Sequence, residues 1–194
     1  MNWQYYKVVK ISLKKNIVGL EVEVEFASMY KGQPLFSDVD TFVREKLGLE
    51  LWDIRRDYWK YEGNNYRTPL KGRIVFGDAL YLRSIQSLEK WITSMDKQER
   101  VKKIHALLRV SIAYGLLDYA LAIVKSSIFK EYSTKEDRQV FIHRINKSIS
   151  KGFYPFKNGS KFLHRIFSAV ANSFQPRSAN SDRHLGFVKK SFWL

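Results

Sequence analysis

Residues 20–27 read Leu-Glu-Val-Glu-Val-Glu-Phe-Ala, with Glu21, Glu23 and Glu25 alternating strictly with Val22, Val24 and Phe26. Successive side chains of a strand point to opposite faces, so this pattern predicts a half-buried strand. Upstream, residues 5–13 (YYKVVKISL) read as a second strand, and Asn16 to Gly19 as the turn that joins the two into a β-hairpin. Lys7, Lys10 and Lys14 would then oppose the glutamates as cross-strand pairs. The simplest reading of the acidic row is a solvated sheet face.

Gly32 and Pro34 end the hairpin. Ser37 or Asp38 is placed to cap a helix through Leu47, and Gly48 to close it. The segment LELWDIRRDYWKY (residues 49–61) gathers Leu51, Trp52, Ile54, Tyr58, Trp59 and Tyr61 on one side of a helical wheel, with Asp53, Arg56, Asp57 and Lys60 on the other. That separation predicts an amphipathic helix. Residues 62–70 form a loop, and residues 72–83 a strand, or two short ones, kinked at Gly77-Asp78. From Ser84 onward only helices are expected, over about 84–95, 97–114, 115–131, 135–151 and 160–174, with Gly115 dividing or kinking the second and third. After Pro176 the helical period is lost.

The expected fold class is therefore α+β: an N-terminal α/β portion containing a β-hairpin, followed by a C-terminal basic helical bundle. The corresponding divisions are residues 1–95, 96–175 and an extended basic and aromatic tail, 176–194. At 194 residues and 45 % hydrophobic content the chain can bury a substantial core. It contains no cysteine, which rules out disulfides, thiolate zinc sites, iron–sulfur clusters and cysteine nucleophiles. The first residues lack the layout of a signal peptide. The longest apolar stretch, Leu116 to Phe129, is interrupted by Asp118 and Lys125 and is shorter than the ~20 residues of a membrane span. These features predict an intracellular protein, cytoplasmic or within a viral or other nucleoprotein particle, and not a secreted one.

Charge is unevenly distributed. Residues 138–194 carry eleven Lys or Arg and one acid, Asp182, so +10 of the chain's +15 lies there. Such a concentration attracts polyanions and anionic surfaces. Within it, Phe141-Ile142-His143-Arg144-Ile145 recurs as Phe162-Leu163-His164-Arg165-Ile166. On ideal wheels Phe141, Ile142, Ile145 and Ile149 form an inward stripe, with Arg144, Lys147 and Lys151 on the far side. Phe162, Leu163, Ile166 and Val170 likewise face inward, with Lys161 and Arg165 outward. The bland alternative is two short amphipathic helices with solvated cations. Basic ridges of this kind suit phosphate contacts. The expected nucleic-acid contacts are Arg144, Lys147, Lys151, Lys157, Lys161, Arg165, Arg177, Arg183, Lys189 and Lys190. Phe187, Phe192 and Trp193, in a terminal segment rich in aromatics and lysine, are expected partner contacts.

Arg100 with His105, and Arg138 with His143, match Arg-x4-His, and Arg177 with His184 matches the six-spaced form. The pattern resembles the signature of HEPN-type ribonucleases over six to eight residues each time. The resemblance implies RNA cleavage without metal by arginine and histidine of paired helices. Here Val101, Gln139 and Ser178 follow the arginines, where that family usually carries a polar residue such as Asn. Residues five apart on one ideal helix diverge by ~140°, so a pair converges only with help from a partner helix. His105, His143, His164 and His184 have no metal-ligand spacing, and no Gly-rich phosphate loop or nucleophile elbow occurs. No catalytic set, metal or cofactor is expected.

Taken together, the sequence points to a non-enzymatic nucleic-acid-binding structural or adaptor protein, a subunit of a nucleoprotein assembly with further protein subunits. RNA is favoured, because no helix-turn-helix or zinc motif appears. The alternatives are a matrix-type protein bridging an anionic membrane surface and a nucleoprotein, and a metal-independent ribonuclease.

Overall fold

The computed structural model describes residues 16–59, 72–150 and 161–173. They form a mixed α+β fold with one three-stranded antiparallel sheet, in the order β1-β3-β2, where β1 is Gly19–Glu25, β2 is Glu50–Trp59 and β3 is Arg73–Leu82. Helix α1 (Phe36–Phe42) runs directly into a π-helical turn (Val43–Leu47). After the sheet come α2 (Ile85–Ile92), α3 (Lys97–Ala113), α4 (Leu117–Lys125), α5 (Ser127–Glu131), α6 (Lys135–Ser150) and α7 (Lys161–Ser173).

The central strand explains the layering. Ala79, Leu80, Tyr81 and Leu82 are all buried, as expected of a strand covered on both faces. Ala79 and Tyr81 face a core formed with Val24 of β1 and with Val43, Leu47 and Leu49. Leu80 and Leu82 face the opposite way, into a larger core that includes Val18 and residues of α2 to α6. This second core continues without a break from Leu82 to Ile145. The sheet is thus the middle of three layers, with α1 and its π turn on one side and α2–α6 on the other.

β1 forms where the Glu/Val alternation places it. Val24 is buried and Glu21 and Glu23 are exposed. Its partner among the described residues is β3, with Val24 opposite Gly77 and Leu20 opposite Tyr81. Residues 5–13 and their lysines lie outside the described residues. The hairpin expected between residues 5–13 and 20–27 therefore also lies outside the described residues. Among these, β1 pairs with a strand more than fifty residues later, and β2 with β3.

Within the segment 49–61, expected to be a helix, Glu50–Trp59 form a strand. The physical reason is a bulge in β2 at Trp52: Leu51 lies opposite Tyr81 and Asp53 opposite Leu80, so β2 carries one extra residue there. Leu51 and Ile54, three apart, therefore pack on the same side of the sheet, while Trp52 turns to the other and lies 4.2 Å from the ring of Tyr119. A spacing of three with an intervening aromatic imitates a helical wheel.

The remaining boundaries follow local chemistry. Leu35 rather than Ser37 or Asp38 is the first cap of α1, and Asp38 reaches back to accept from the Leu35 amide at 2.9 Å. Ser84, Asp96 and Ser126 each accept an amide three residues on, at the starts of α2, α3 and α5. Gly115, at φ +70, divides α3 from α4 rather than kinking one helix. Ser126 then separates α4 from α5 inside what the sequence read as one helix.

β3 runs through Gly77 as a single strand. A Cβ built there would lie 2.4 Å from the Arg55 carbonyl oxygen on β2. Since the obstacle is backbone, Gly77→Ala forces β2 and β3 apart and is expected to cost roughly 1–3 kcal/mol. Urea unfolding of that variant measures it, with a midpoint equal to wild type as the contrary result.

Candidate nucleic-acid interface

The interface expected from the sequence begins on α6, and α6 is positioned by its first turn and its apolar stripe. The Thr134 hydroxyl accepts from the Asp137 amide at 3.1 Å, and Asp137 accepts from the Thr134 hydroxyl at 2.8 Å. This fixes where the helix starts. Ile145 is buried, and Phe141 and Ile142 pack on the helical core. Phe141 meets Phe129 edge-on at 5.8 Å. With that side turned in, Arg144 and Lys147, three residues apart, are exposed, as is His143.

The inward stripe is shorter than expected. Ile149 is exposed, so burial ends at Ile145. The second helix departs further. Phe162, Ile166 and Val170 were expected to face inward, yet all three are exposed, together with Phe167, and Leu163 is only half-buried. The outer face of the sheet is already closed by α2–α6, and among the described residues the buried cluster has no member beyond Ile145. The near-repeat therefore gives two helices of similar sequence in different surroundings.

Of the ten expected nucleic-acid contacts, the side chains of Arg144, Lys147 and Arg165 are described, and all three are exposed. Lys161 opens α7. Lys151, Lys157, Arg177, Arg183, Lys189 and Lys190 lie outside the described residues, as do the expected partner contacts Phe187, Phe192 and Trp193. Further exposed cations, Lys97, Lys102 and Arg109, stand on α3. The sequence reading passed over them because Glu99 and the flanking Asp96 dilute that helix's charge.

The arginines of the two Arg-x4-His matches have a different job. Arg100 donates from Nε to the Met95 carbonyl at 2.8 Å, and from its other nitrogens to the Thr93 carbonyl at 2.7 Å and the Tyr132 hydroxyl at 3.1 Å. Arg138 donates to the Ser133 carbonyl at 2.8 Å. In both cases an arginine four residues after the N-cap (Asp96 or Thr134) reaches back to the carbonyl just before that cap. The device latches each helix to the turn that precedes it. His143, on α6, is exposed.

His105 lies between Phe129 and Phe141, with ring centroids at 5.6 and 6.3 Å. It lines a crevice with Val101, Ile104, Phe129, Tyr132 and Ser133 that has no room for a water molecule. Burial, and secondarily the charge of Arg109, lower its pKa below the usual histidine value. Among the described residues no group of three His, Asp or Glu is disposed to hold a metal ion. No helix among them is long and apolar enough to cross a membrane.

The chain matches no protein-family model, and comparison with curated proteins and with solved structures yields no significant match.

The His105 environment sets a pH response. Its pKa in the fold is below that of the unfolded chain, about 6.5. On acidification the unfolded state binds the proton first, so stability falls as pH drops through about 6.5 toward the folded value. The loss of stability between about pH 7.5 and about pH 5.5 is therefore expected to be smaller in His105→Gln than in wild type. Urea midpoints at the two pH values measure the difference, and an identical loss in both proteins contradicts it.

Proposed function

We propose that the protein is a non-enzymatic nucleic-acid-binding structural or adaptor protein, a subunit of a nucleoprotein assembly that holds its ligand by phosphate contacts. The observation that carries this reading is the run of eleven cations from Arg138 onward against a single acid, Asp182, with Arg144 and Lys147 exposed on a helix whose opposite side is anchored by Ile145. Arg165 extends the same chemistry onto α7. Cations held on a folded helix, rather than on a loose tail, contact phosphates along a backbone without reading bases. RNA is the favoured ligand, because the sequence carries neither a helix-turn-helix nor a zinc motif. Such a role fits an intracellular setting or the interior of a nucleoprotein particle.

The ribonuclease alternative has less support, because the guanidinium groups of Arg100 and Arg138 are occupied by backbone carbonyls. A hydrolytic role for His105 would also need a crevice large enough to admit a phosphodiester.

Binding to single-stranded RNA is expected to weaken steeply with salt, with a slope near −0.7 per phosphate contacted. Arg144→Glu combined with Arg165→Glu is expected to weaken low-salt binding at least about tenfold and to reduce the slope by roughly one for each cation removed. Fluorescence anisotropy across a salt series measures both. Affinity that barely changes from low to moderate salt, or that is indifferent to the double substitution, overturns the reading.

A further inference from the structure

Helix α7 presents four large apolar side chains to solvent: Phe162 at 71 % exposure, Phe167 at 67 %, Val170 at 50 % and Ile166 at 43 %. At 100° per residue these four fall within an arc of about 140°, with the half-buried Leu163 inside it. Arg165 is exposed and lies outside that arc. The thirteen residues of α7 include Lys161 and Arg165 and no acid. Contiguous exposed apolar surface of this kind marks a contact site.

We propose that α7 is an interfacial helix that lies on an anionic membrane surface, with Phe162, Ile166, Phe167 and Val170 immersed at the acyl boundary and Arg165 at the headgroup phosphates. A helix with one apolar and one cationic side, lying in the plane of the interface, is the arrangement such surfaces retain. The composition of the arc selects this occupant. Ile166 and Val170 stand between the two phenylalanines, and aliphatic side chains offer no ring on which a base can stack. The acyl boundary accepts all four. Charge selects in the same direction: α7 lacks acids and the chain carries +15, so a second copy of α7 would be met with like charge, whereas acidic lipid complements it. The inference goes beyond the nucleic-acid reading and does not depend on it.

The test is flotation of the whole, nuclease-treated protein with phosphatidylserine-containing vesicles, and with phosphatidylcholine vesicles alone. The wild type is expected to float with the former and much less with the latter. Phe162→Ser combined with Phe167→Ser is expected to reduce the bound fraction at least about tenfold. Its melting temperature should be unchanged, since both side chains are exposed. Phe162→Leu with Phe167→Leu keeps the apolar face and should keep binding, which separates loss of the face from loss of the fold. A wild type that does not float, or a serine variant that floats as well as wild type, overturns the proposal. So does a serine variant that loses only RNA affinity, or only a wild-type dimer seen by sedimentation, because the face would then belong to bases or to a second copy.

Discussion

One buried cation joins the layers of this protein. Arg83 immediately follows β3 and is only 4 % exposed. Its guanidinium donates to the Leu47 carbonyl at 2.9 Å, the Ile17 carbonyl at 3.2 Å, the Gly48 carbonyl at 3.4 Å and the Ser87 hydroxyl at 3.2 Å. The Trp91 ring lies 4.0 Å away on α2. Two of those carbonyls belong to the end of the π turn, where helix carbonyls lack intrahelical donors and the dipole favours a cation. The Arg83 carbonyl accepts in turn from the Tyr119 hydroxyl on α4 at 2.6 Å. One residue therefore ties α1's π turn, the entry to β1, α2 and α4 to the end of the central strand. Burial pushes its pKa down to about 10, which still leaves it charged at neutral pH. Backbone dipoles and an aromatic face, rather than a carboxylate, hold that charge.

This arrangement divides the cations into two populations. Arg83, Arg100 and Arg138 are engaged by carbonyls of their own chain, and Arg55 and Arg44 are paired with Asp78 and Asp40. Arg144 and Arg165 are exposed on helices instead. A count of positive charges cannot make this distinction, yet it governs what an anion meets. The fold uses arginine where several acceptors converge from fixed directions, which suits a planar fork of donors. The sheet's second face is managed by charge as well. Glu23, Asp78 and Arg55 lie in register across the three strands, with Arg55 bonded to Asp78.

The strand expected at residues 20–27, found as Gly19–Glu25, was legible because nothing interrupts the period of two there. β2 was not, because its bulge at Trp52 puts Leu51 and Ile54, three residues apart, on one face and so mimics a helix. The role of Arg83 was hidden for another reason. A lone arginine after Ala-Leu-Tyr-Leu reads as the polar end of a strand, and its acceptors at positions 17, 47 and 48 are brought together only by the tertiary fold. The same limit applies to the candidate site. Periodicity found the amphipathic design of α6 and α7, but whether an apolar face meets a core depends on what already covers the sheet. For α6 it does, through Ile145; for α7 the face is left outward.

The central claim is that Arg83 holds the layers together, and it is tested most directly by urea unfolding of Arg83→Met, with Arg144→Met as the exposed-arginine control. Methionine fills much of the volume but leaves the carbonyls of Leu47 and Ile17 without their donor. The account predicts a loss of roughly 2–4 kcal/mol for Arg83→Met, against less than about 0.5 kcal/mol for the control. Equal, small changes in the two variants would contradict it.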